Sequence, residues 1–344
     1  MSVYYIALII SFVITYLFKQ KNLITTKQKL MAAFFSALPL IIISGFRFNV
    51  GTDYSNYYNT YWSIPGGYSE IKDPLYVLLV NLLNRLETGP IYIFVVLSAI
   101  FFIPIYYQIF CDSPYPLISI FLLYGCRYFF AYLNISRQLA ACAILVFSIR
   151  YIEKDNFISF LLCIIIASSL HLTSMAFILV YFVRKIKLDI PSTIVLTIAI
   201  YVFGELISTL IRNILPIYGN YLNSINRTGT GLRNIIMQLF LYIFSYIFSD
   251  KSRKYNVYLN CQLITIISVV LSQYINLFER MRYDFCLSNI ILLPLAINNI
   301  KDKKLKYLSI FLLIVFFTWY MYQGTIVIDM YNVIPYKWYG IKLI

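Results

Sequence analysis

Charged residues are scarce in this sequence: Asp, Glu, Lys and Arg make up 12% of it, whereas hydrophobic residues make up 61%. Soluble globular domains carry about 25% charged residues, so the composition excludes an ordinary soluble domain. Apolar runs long enough to cross a bilayer, about 17 to 25 residues, recur along nearly the whole chain. We therefore predict an all-α, polytopic membrane helix bundle that forms one integral-membrane domain over residues 1–344.

Patterns for binding metals and nucleotides are missing as well. The chain has one histidine, His171, and six scattered cysteines that lack the spacing of a metal site or a disulfide framework. The glycine-containing stretch 227–233, RTGTGLR, has neither the Walker spacing nor its lysine. We therefore expect no metal and no cofactor.

No basic residue precedes the first apolar run, residues 3–18, and four lysines follow it. A secretory signal peptide carries its positive charge in front. We therefore predict a retained helix whose N-terminus lies outside.

Positive charge is abundant but unevenly distributed. The lysines fall in alternate loops, and because cytoplasmic loops are enriched in positive charge, these loops are predicted inside: 19–29, 154, 185–187, 251–254 and 301–306. The lysines in these loops account for the net charge of +14, so this charge does not indicate nucleic-acid binding. Most arginines are predicted outside, where a guanidinium suits phosphate or carboxylate: Arg47, Arg127, Arg137, Arg212, Arg227, Arg233, Arg280 and Arg282.

Hydropathy predicts twelve crossings with both termini outside; ten or eleven remain open. One continuous helix over 157–183 would place Arg184 and Lys185 outside, so a break near His171 is favoured. The stretch 72–86 has an apolar run too short to span and is predicted to be an outer interfacial or re-entrant helix. The predicted crossings are 3–18, 30–46, 90–110, 115–133, 138–152, 157–170, 172–183, 190–211, 234–249, 257–275, 284–299 and 307–323.

The segment 44–58, SGFRFNVGTDYSNYY, is the first candidate for chemistry. Arg47 could hold a phosphate, Gly51 permits a tight turn, and Asp53 could orient or deprotonate a sugar hydroxyl. The alternative is an interfacial anchor in which Arg47 pairs with Asp53.

Two further arginines belong to the second candidate, around the segment 132–152. Arg137 opens a helix, whose N-terminus already favours an anion. Arg127 lies in the preceding helix, where it should pair or face a cavity. A purely structural pairing is the alternative for both residues.

The third and fourth candidates are His171 and the cluster Glu279, Arg280, Arg282 and Asp284. Neutral imidazole can accept a proton from a hydroxyl, although a structural role for a lone histidine is equally open. The cluster could be a second phosphate clamp or a locally neutralised helix end. The predicted topology brings all four candidates to one face of the membrane.

Three stretches carry a resemblance to the EpsG family, which is grouped with the Wzy-type polymerases of bacterial surface polysaccharides. They are SGFRFNVGTDYSNYY, SRQLAACAILVFSIRYI and LLCIIIASSLHLTSMAFILVYF. The shared pattern is an arginine followed by G-T-D-Y, an R-Q-x-x-A helix start, and a histidine followed by a hydroxyl residue. It covers roughly residues 40 to 183, and the last third is similar only in hydropathy and an E-R-x-R segment.

The resemblance implies a metal-independent polymerase of O-antigen, capsule or exopolysaccharide in the bacterial cytoplasmic membrane, with its site facing the periplasm. It would transfer the growing glycan from undecaprenyl pyrophosphate to a lipid-linked repeat unit, alongside a flippase and a chain-length regulator. It also implies a fold related to lipid-sugar-dependent (GT-C-like) glycosyltransferases.

Each candidate residue can be given a role in that reaction. Arginines would stabilise the pyrophosphate leaving group, with Arg47 and Arg137 first, then Arg127, Arg280 and Arg282. His171 or Asp53 would be the general base. Tyr54 and Tyr57 would stack on sugars.

Other functions use similar residues. A lipid-oligosaccharide flippase would also present arginines to a pyrophosphate, but it should carry charge into a central cavity and often has repeated halves. A polysaccharide ligase shares the donor and is poorly separated from a polymerase by sequence. A non-catalytic chain-length regulator would not need arginine, histidine and aspartate at one depth.

Overall fold

The computed structural model describes residues 1–21, 23–214 and 231–340. Within these residues the regular structure is helical, apart from one isolated bridge between Arg47 and Trp338. The α-helices are α1 Ser2–Lys19, α2 Thr26–Gly45, α3 Tyr54–Ser63, α4 Pro74–Arg85, α5 Ile91–Asp112, α6 Pro116–Gly125, α7 Tyr128–Tyr132, α8 Ser136–Glu153, α9 Phe157–Leu170, α10 Ile178–Val183, α11 Ile190–Val202, α12 Gly204–Ile214, α13 Gly231–Ile247, α14 Arg253–Leu271, α15 Asn276–Cys286, α16 Asn289–Asn299 and α17 Lys303–Tyr322.

The helices confirm a membrane helical protein, but not twelve full-length spans. Among the described residues, four helical stretches are long and apolar enough to cross a membrane: α1, α2, α5 and α17 with the π-helical turn that continues it. A fifth is counted if α11 and α12, bent by 69° at their junction, form one span. Five shorter apolar helical stretches, of 10–17 residues, accompany them.

Three predicted helices are wrong as continuous elements. The predicted helix 115–133 is interrupted at Arg127, which adopts a left-handed conformation with φ of 65° and so ends α6. The predicted helix 190–211 bends at Phe203. The predicted helix 284–299 is interrupted between Cys286 and Asn289, where α15 ends and α16 begins, whereas the predicted helix 257–275 is present as α14, which ends at Leu271. The stretch 227–233, with Arg227 predicted outside, lies outside the described residues up to position 230.

The predicted break near His171 is confirmed. Helix α9 ends at Leu170, and His171 is extended, with φ of −156° and ψ of 116°. A 3-10 helix, Leu172–Phe177, then leads into α10. The helix predicted over 72–86 is also present, as α4.

Contacts between loops show which segments lie at each of the two ends of the bundle. At one end, which carries the predicted inner lysines, Lys254 pairs with Asp112 at 2.5 Å and Arg253 pairs with Asp155. The N-terminus is at the other end, where the Tyr4 hydroxyl donates to the Val333 carbonyl at 2.8 Å. Because α2 ends and α8 begins there, Arg47 and Arg137 lie at this second end, called here the arginine end.

Candidate active site

A cleft of about 280 Å³ opens at the arginine end. The start of α3, the first turn of α8, the break after α9, and α15 all contribute to its wall. Its lining residues are Asp53, Asn56, Tyr57, Thr60, Ile71, Ile135, Arg137, Gln138, His171 and Arg280. Five residues predicted for the site therefore come together in one cavity, from segments more than two hundred positions apart.

Arg137 is held at the N-terminal turn of α8. Its Nη1 lies 3.0 Å from Oδ2 of Asp73, and both side chains are mostly buried, at 17% and 16% exposure. The guanidinium lies over the ring of Tyr76, 5.0 Å from its centroid. The backbone N–H of Arg137 donates to the Tyr57 hydroxyl at 3.3 Å. The N-terminal turn of α8 and the guanidinium thus place positive charge beside the cleft.

Asp73 is a site residue that sequence reasoning missed. One carboxylate oxygen pairs with Arg137, and the other accepts the backbone N–H of Leu172 at 3.2 Å. It thereby ties α4 and α8 to the turn that carries His171. An aspartate before Pro74 has the pattern of a helix N-cap, but its side chain makes no capping hydrogen bond. Both of its partners, Arg137 and Leu172, are remote in sequence, so no local signal reveals them.

His171 lies in the turn between two helical segments and carries a neutral imidazole at pH 7. Burial, reinforced by the positive charges of Arg137 and Arg280, lowers the pKa of His171 from 6.5 to about 3. Both ring nitrogens are shielded from solvent, and neither has a hydrogen-bond partner among the described residues. A ring nitrogen is therefore available to a substrate hydroxyl.

The predicted cluster at 279–284 is divided between opposite faces of α15. Arg280 lines the cleft, and its carbonyl accepts a hydrogen bond from Nε2 of the buried Gln138 at 2.7 Å. Arg282 instead pairs with Glu279 at 2.6 Å. Asp284 is fully buried, and one of its carboxylate oxygens is 3.2 Å from Sγ of Cys142.

Arg47 does not line the cleft. It is fully buried and donates to the carbonyls of Ser44, of Val50 at 3.3 Å and of Leu133 at 3.1 Å, and to Oγ of Ser136 at 3.0 Å. The guanidinium also lies 4.4 Å from the ring centroid of Phe94. It therefore fixes the segment that leads into α8, and the alternative ion pair between Arg47 and Asp53 is not formed.

The turn at Gly51 is confirmed and brings Asp53 to the cleft. Gly51 has φ of 98°, and a Cβ there would lie 2.4 Å from the Leu133 carbonyl oxygen, so only glycine fits. The neighbouring Thr52 donates through its hydroxyl to Oδ1 of Asn134 at 2.7 Å. The G-T-D segment is thus docked on the residues just before α8.

The two predicted tyrosines have different places. Tyr57 lines the cleft beside Arg137. Tyr54 is 4% exposed and stacks on Phe94, with centroids 4.7 Å apart, so it belongs to an aromatic cluster behind the cleft.

Arg127 and Arg282 lie together elsewhere. Both line a narrow pocket of about 30 Å³ whose wall shares no residue with the cleft. The arginines predicted for the site thus form two separate groups: Arg137 and Arg280 line the cleft, and Arg127 and Arg282 line the narrow pocket. Arg47 belongs to neither group.

No group of three or more His, Cys, Asp or Glu side chains that could hold a metal ion occurs among residues 1–21, 23–214 and 231–340. The chemistry that the cleft offers is that of two arginines, one neutral imidazole and one carboxylate.

A family model described as the EpsG family matches residues 30–338, nearly the whole chain. The match extends well beyond the three motif stretches and includes α15, which supplies Arg280. Neither the curated proteins nor the solved structures contain a match to the chain.

Proposed function

Since the chain belongs to the EpsG family, we propose that it is a glycosyltransferase that polymerises the repeat units of a bacterial surface polysaccharide. The donor is the growing glycan on undecaprenyl pyrophosphate, and the acceptor is a sugar hydroxyl of a lipid-linked repeat unit. The anomeric C–O bond of the donor breaks, a new glycosidic bond forms, the hydroxyl proton passes to a base, and lipid pyrophosphate leaves.

Arg137 and Arg280 stabilise the leaving group in this proposal. Negative charge develops on the pyrophosphate as the anomeric bond breaks, and fixed cationic donors in a water-poor site stabilise such charge strongly. Two arginines and a helix N-terminus border the same cleft, which supports this assignment. Arg47 acts as a positioning residue, because its hydrogen bonds hold the approach to α8.

His171 is the proposed base, and Asp53 orients the acceptor hydroxyl. A pKa of about 3 makes His171 a weak base at neutral pH, and a base works best when its pKa is near the ambient pH. Burial is the larger cause of this low pKa, and the positive charges of Arg137 and Arg280 add to it; a pyrophosphate bound to the two arginines would offset only the part that is due to charge. The donor would thereby raise the pKa of His171 in part and make it a stronger base. Tyr57 is placed to stack on a sugar.

The protein works in the cytoplasmic membrane, with the arginine end and both chain termini outside. Helices α9 and α10 serve as two short crossings, because Asp155 before α9 lies 3.8 Å from Arg184 after α10. Helices α15 and α16 serve as one interrupted crossing, and the total in this proposal is twelve. We further propose a fold relationship to GT-C-like glycosyltransferases, and work beside a flippase and a chain-length regulator.

One observation carries the proposal: Arg137, His171, Asp53 and Arg280 line a single cleft in a chain of the EpsG family. The test is a gel of surface glycolipid from a strain that lacks the gene, complemented with the wild type or with His171→Ala. We expect loss of the polymer ladder with single-repeat glycolipid retained, restored by the wild type and not by the variant.

Other outcomes of this test identify the rival functions. Loss of every repeat-bearing species would indicate a flippase or a ligase. An intact ladder in the deletion strain would overturn the proposal. Arg85→Ala, at an exposed position of α4, is the control that should restore the ladder.

A further inference from the structure

The pocket that contains Arg127 and Arg282 has the features of an anion-binding site. Arg127 has few strong partners: its Nη1 donates to the thioether sulfur of Met330 at 3.0 Å, and its buried Nε has no hydrogen-bond partner among the described residues. A thioether is a weak acceptor. No carboxylate of the described residues forms a salt bridge with Arg127.

Arg127 is held in this position by an uncommon backbone conformation and by two close contacts. The residue itself is left-handed, a conformation that non-glycine residues adopt at a cost and that clusters at functional sites. Its guanidinium carbon lies 3.7 Å from the ring centroid of Tyr320. It also lies so close to Gly324 that a Cβ there would be 1.9 Å from Nη1. Because Gly324 has no side chain, the guanidinium of Arg127 fits against the backbone there, although no strong acceptor of the described residues binds it.

Arg282 supplies a second guanidinium to the same pocket. It is largely buried, at 17% exposure, and its charge is shared with Glu279. Glu279 pairs with Arg282 and no carboxylate of the described residues pairs with Arg127, so the pocket retains positive charge. Met330, which covers Arg127, is 49% exposed and can be displaced by a better acceptor.

An apolar groove of about 630 Å³ adjoins this pocket. Helices α13, α16 and α17 form its walls, and Leu241 and Phe317 line both the groove and the pocket. The groove follows α17 from Leu305 to Trp319, about 20 Å at 1.5 Å per helical residue. Its walls include side chains that are strongly exposed, such as Phe240 at 63% and Leu312 at 54%.

The pocket and groove are separate from the cleft. Residues two apart on a helix point in different directions, so α15 presents Arg280 to the cleft and Arg282 to the pocket. The helix itself forms the partition between them.

We infer that the pocket and groove form a second lipid site, which binds a polyprenyl phosphate or pyrophosphate. Arg127 and Arg282 bind the phosphate, and the hydrocarbon chain lies along α17. Charge complementarity and the continuity of pocket and groove support this occupant. The inference rests on the proposed function, because a polymerase that joins two lipid-linked glycans needs two such sites.

The test is native mass spectrometry of the purified full-length protein in detergent, titrated with undecaprenyl phosphate. We expect the wild type to bind two molecules. Arg127→Gln should weaken one of the two sites roughly 10- to 100-fold, as expected for loss of a charged hydrogen bond. Leu312→Trp, which fills the groove from an exposed position, should weaken the same site and leaves the pocket intact.

Matched variants and competitors make the result specific. Arg85→Gln, and Leu82→Trp at a leucine of α4 with 52% exposure, should leave both sites unchanged. Inorganic pyrophosphate should reduce lipid binding at this site in the wild type, because it competes for Arg127 and Arg282, and should have less effect in Arg127→Gln. Phosphatidylglycerol at equal concentration should not displace the polyprenyl lipid; equal displacement would mean an ordinary phospholipid site and would overturn the inference.

A single bound molecule in the wild type, or two molecules bound equally well in both variants, would also overturn it. These results differ from a failure of the proposed function, which the polymer ladder reports independently of lipid binding.

Discussion

Arg47 and Arg137 lie at the same end of the bundle, and both were predicted to bind a phosphate. Arg47 is surrounded by protein acceptors: three backbone carbonyls and one hydroxyl take its hydrogen bonds. Arg137 has one carboxylate partner and borders an open cleft. A guanidinium saturated by its own protein stabilises the fold, whereas one that faces a cavity can serve a ligand. The difference lies in the surrounding acceptors and not in the residue type.

Arg47→Ala should have the largest effect, because it removes the donor from several buried acceptors at once. Each buried group left unsatisfied costs about 1–3 kcal/mol, so we expect roughly 3 kcal/mol or more of lost stability. The measurement is the thermal unfolding of the detergent-purified protein. Arg47→Lys should also be strongly destabilising, since one ammonium cannot reach acceptors spread around a planar fork. Normal unfolding temperatures for both variants would remove the contrast with Arg137.

Arg137→Ala should leave folded protein but slow polymerisation by about 10²–10³-fold, the typical effect of losing one charge-stabilising donor. The measurement is polymer length per time in membranes, corrected for the amount of inserted protein. Arg137→Lys should recover part of the activity, because it restores the charge without the fork. The matched control is Arg85→Ala. Full-length chains at the wild-type rate in Arg137→Ala would contradict the role assigned to the cleft.

The smallest expected effect is the change in the free energy of unfolding with pH that His171 causes. The pKa of His171 is about 3 in the folded protein against 6.5 for an ordinary histidine. Between these values the unfolded chain binds a proton that the folded chain does not, so acidification favours unfolding. The contribution is fully present above pH 6.5 and is lost as the pH falls toward 3. At pH 5 the loss relative to pH 8 should be about 2 kcal/mol.

His171→Gln should flatten this part of the pH dependence. Unfolding temperatures of the wild type and the variant at pH 5 and pH 8 measure the difference. The same pH slope in both proteins would mean that the imidazole is not held neutral.

The sequence predicted local features well where local physics decides them. The break at His171 followed from the charges that an unbroken helix would have misplaced, and the turn at Gly51 followed from the freedom of glycine. The interruption at Arg127 was missed because the surrounding residues are apolar and helical in pattern. Its left-handed conformation is supported by remote contacts with Tyr320 and Gly324.

The site was predicted as a set of residues but not as an arrangement. His171, Asp53 and Arg137 were recognised from their type and position. Asp73 was not, since its two partners belong to α8 and to the turn after α9. The separation of Arg280 from Arg282 depends on which elements pack against each face of α15.

The sequence by itself determined that the chain is a helical membrane protein of the EpsG family, with most lysines and the candidate-site arginines at opposite ends. Hydropathy, helix length and charge bias act over one segment at a time, so they can be read along the chain. Only the tertiary structure decided which arginine is saturated, which borders the cleft and which adjoins the apolar groove. Hydrogen bonding and burial are contacts between distant segments, and these contacts set what each guanidinium can still bind.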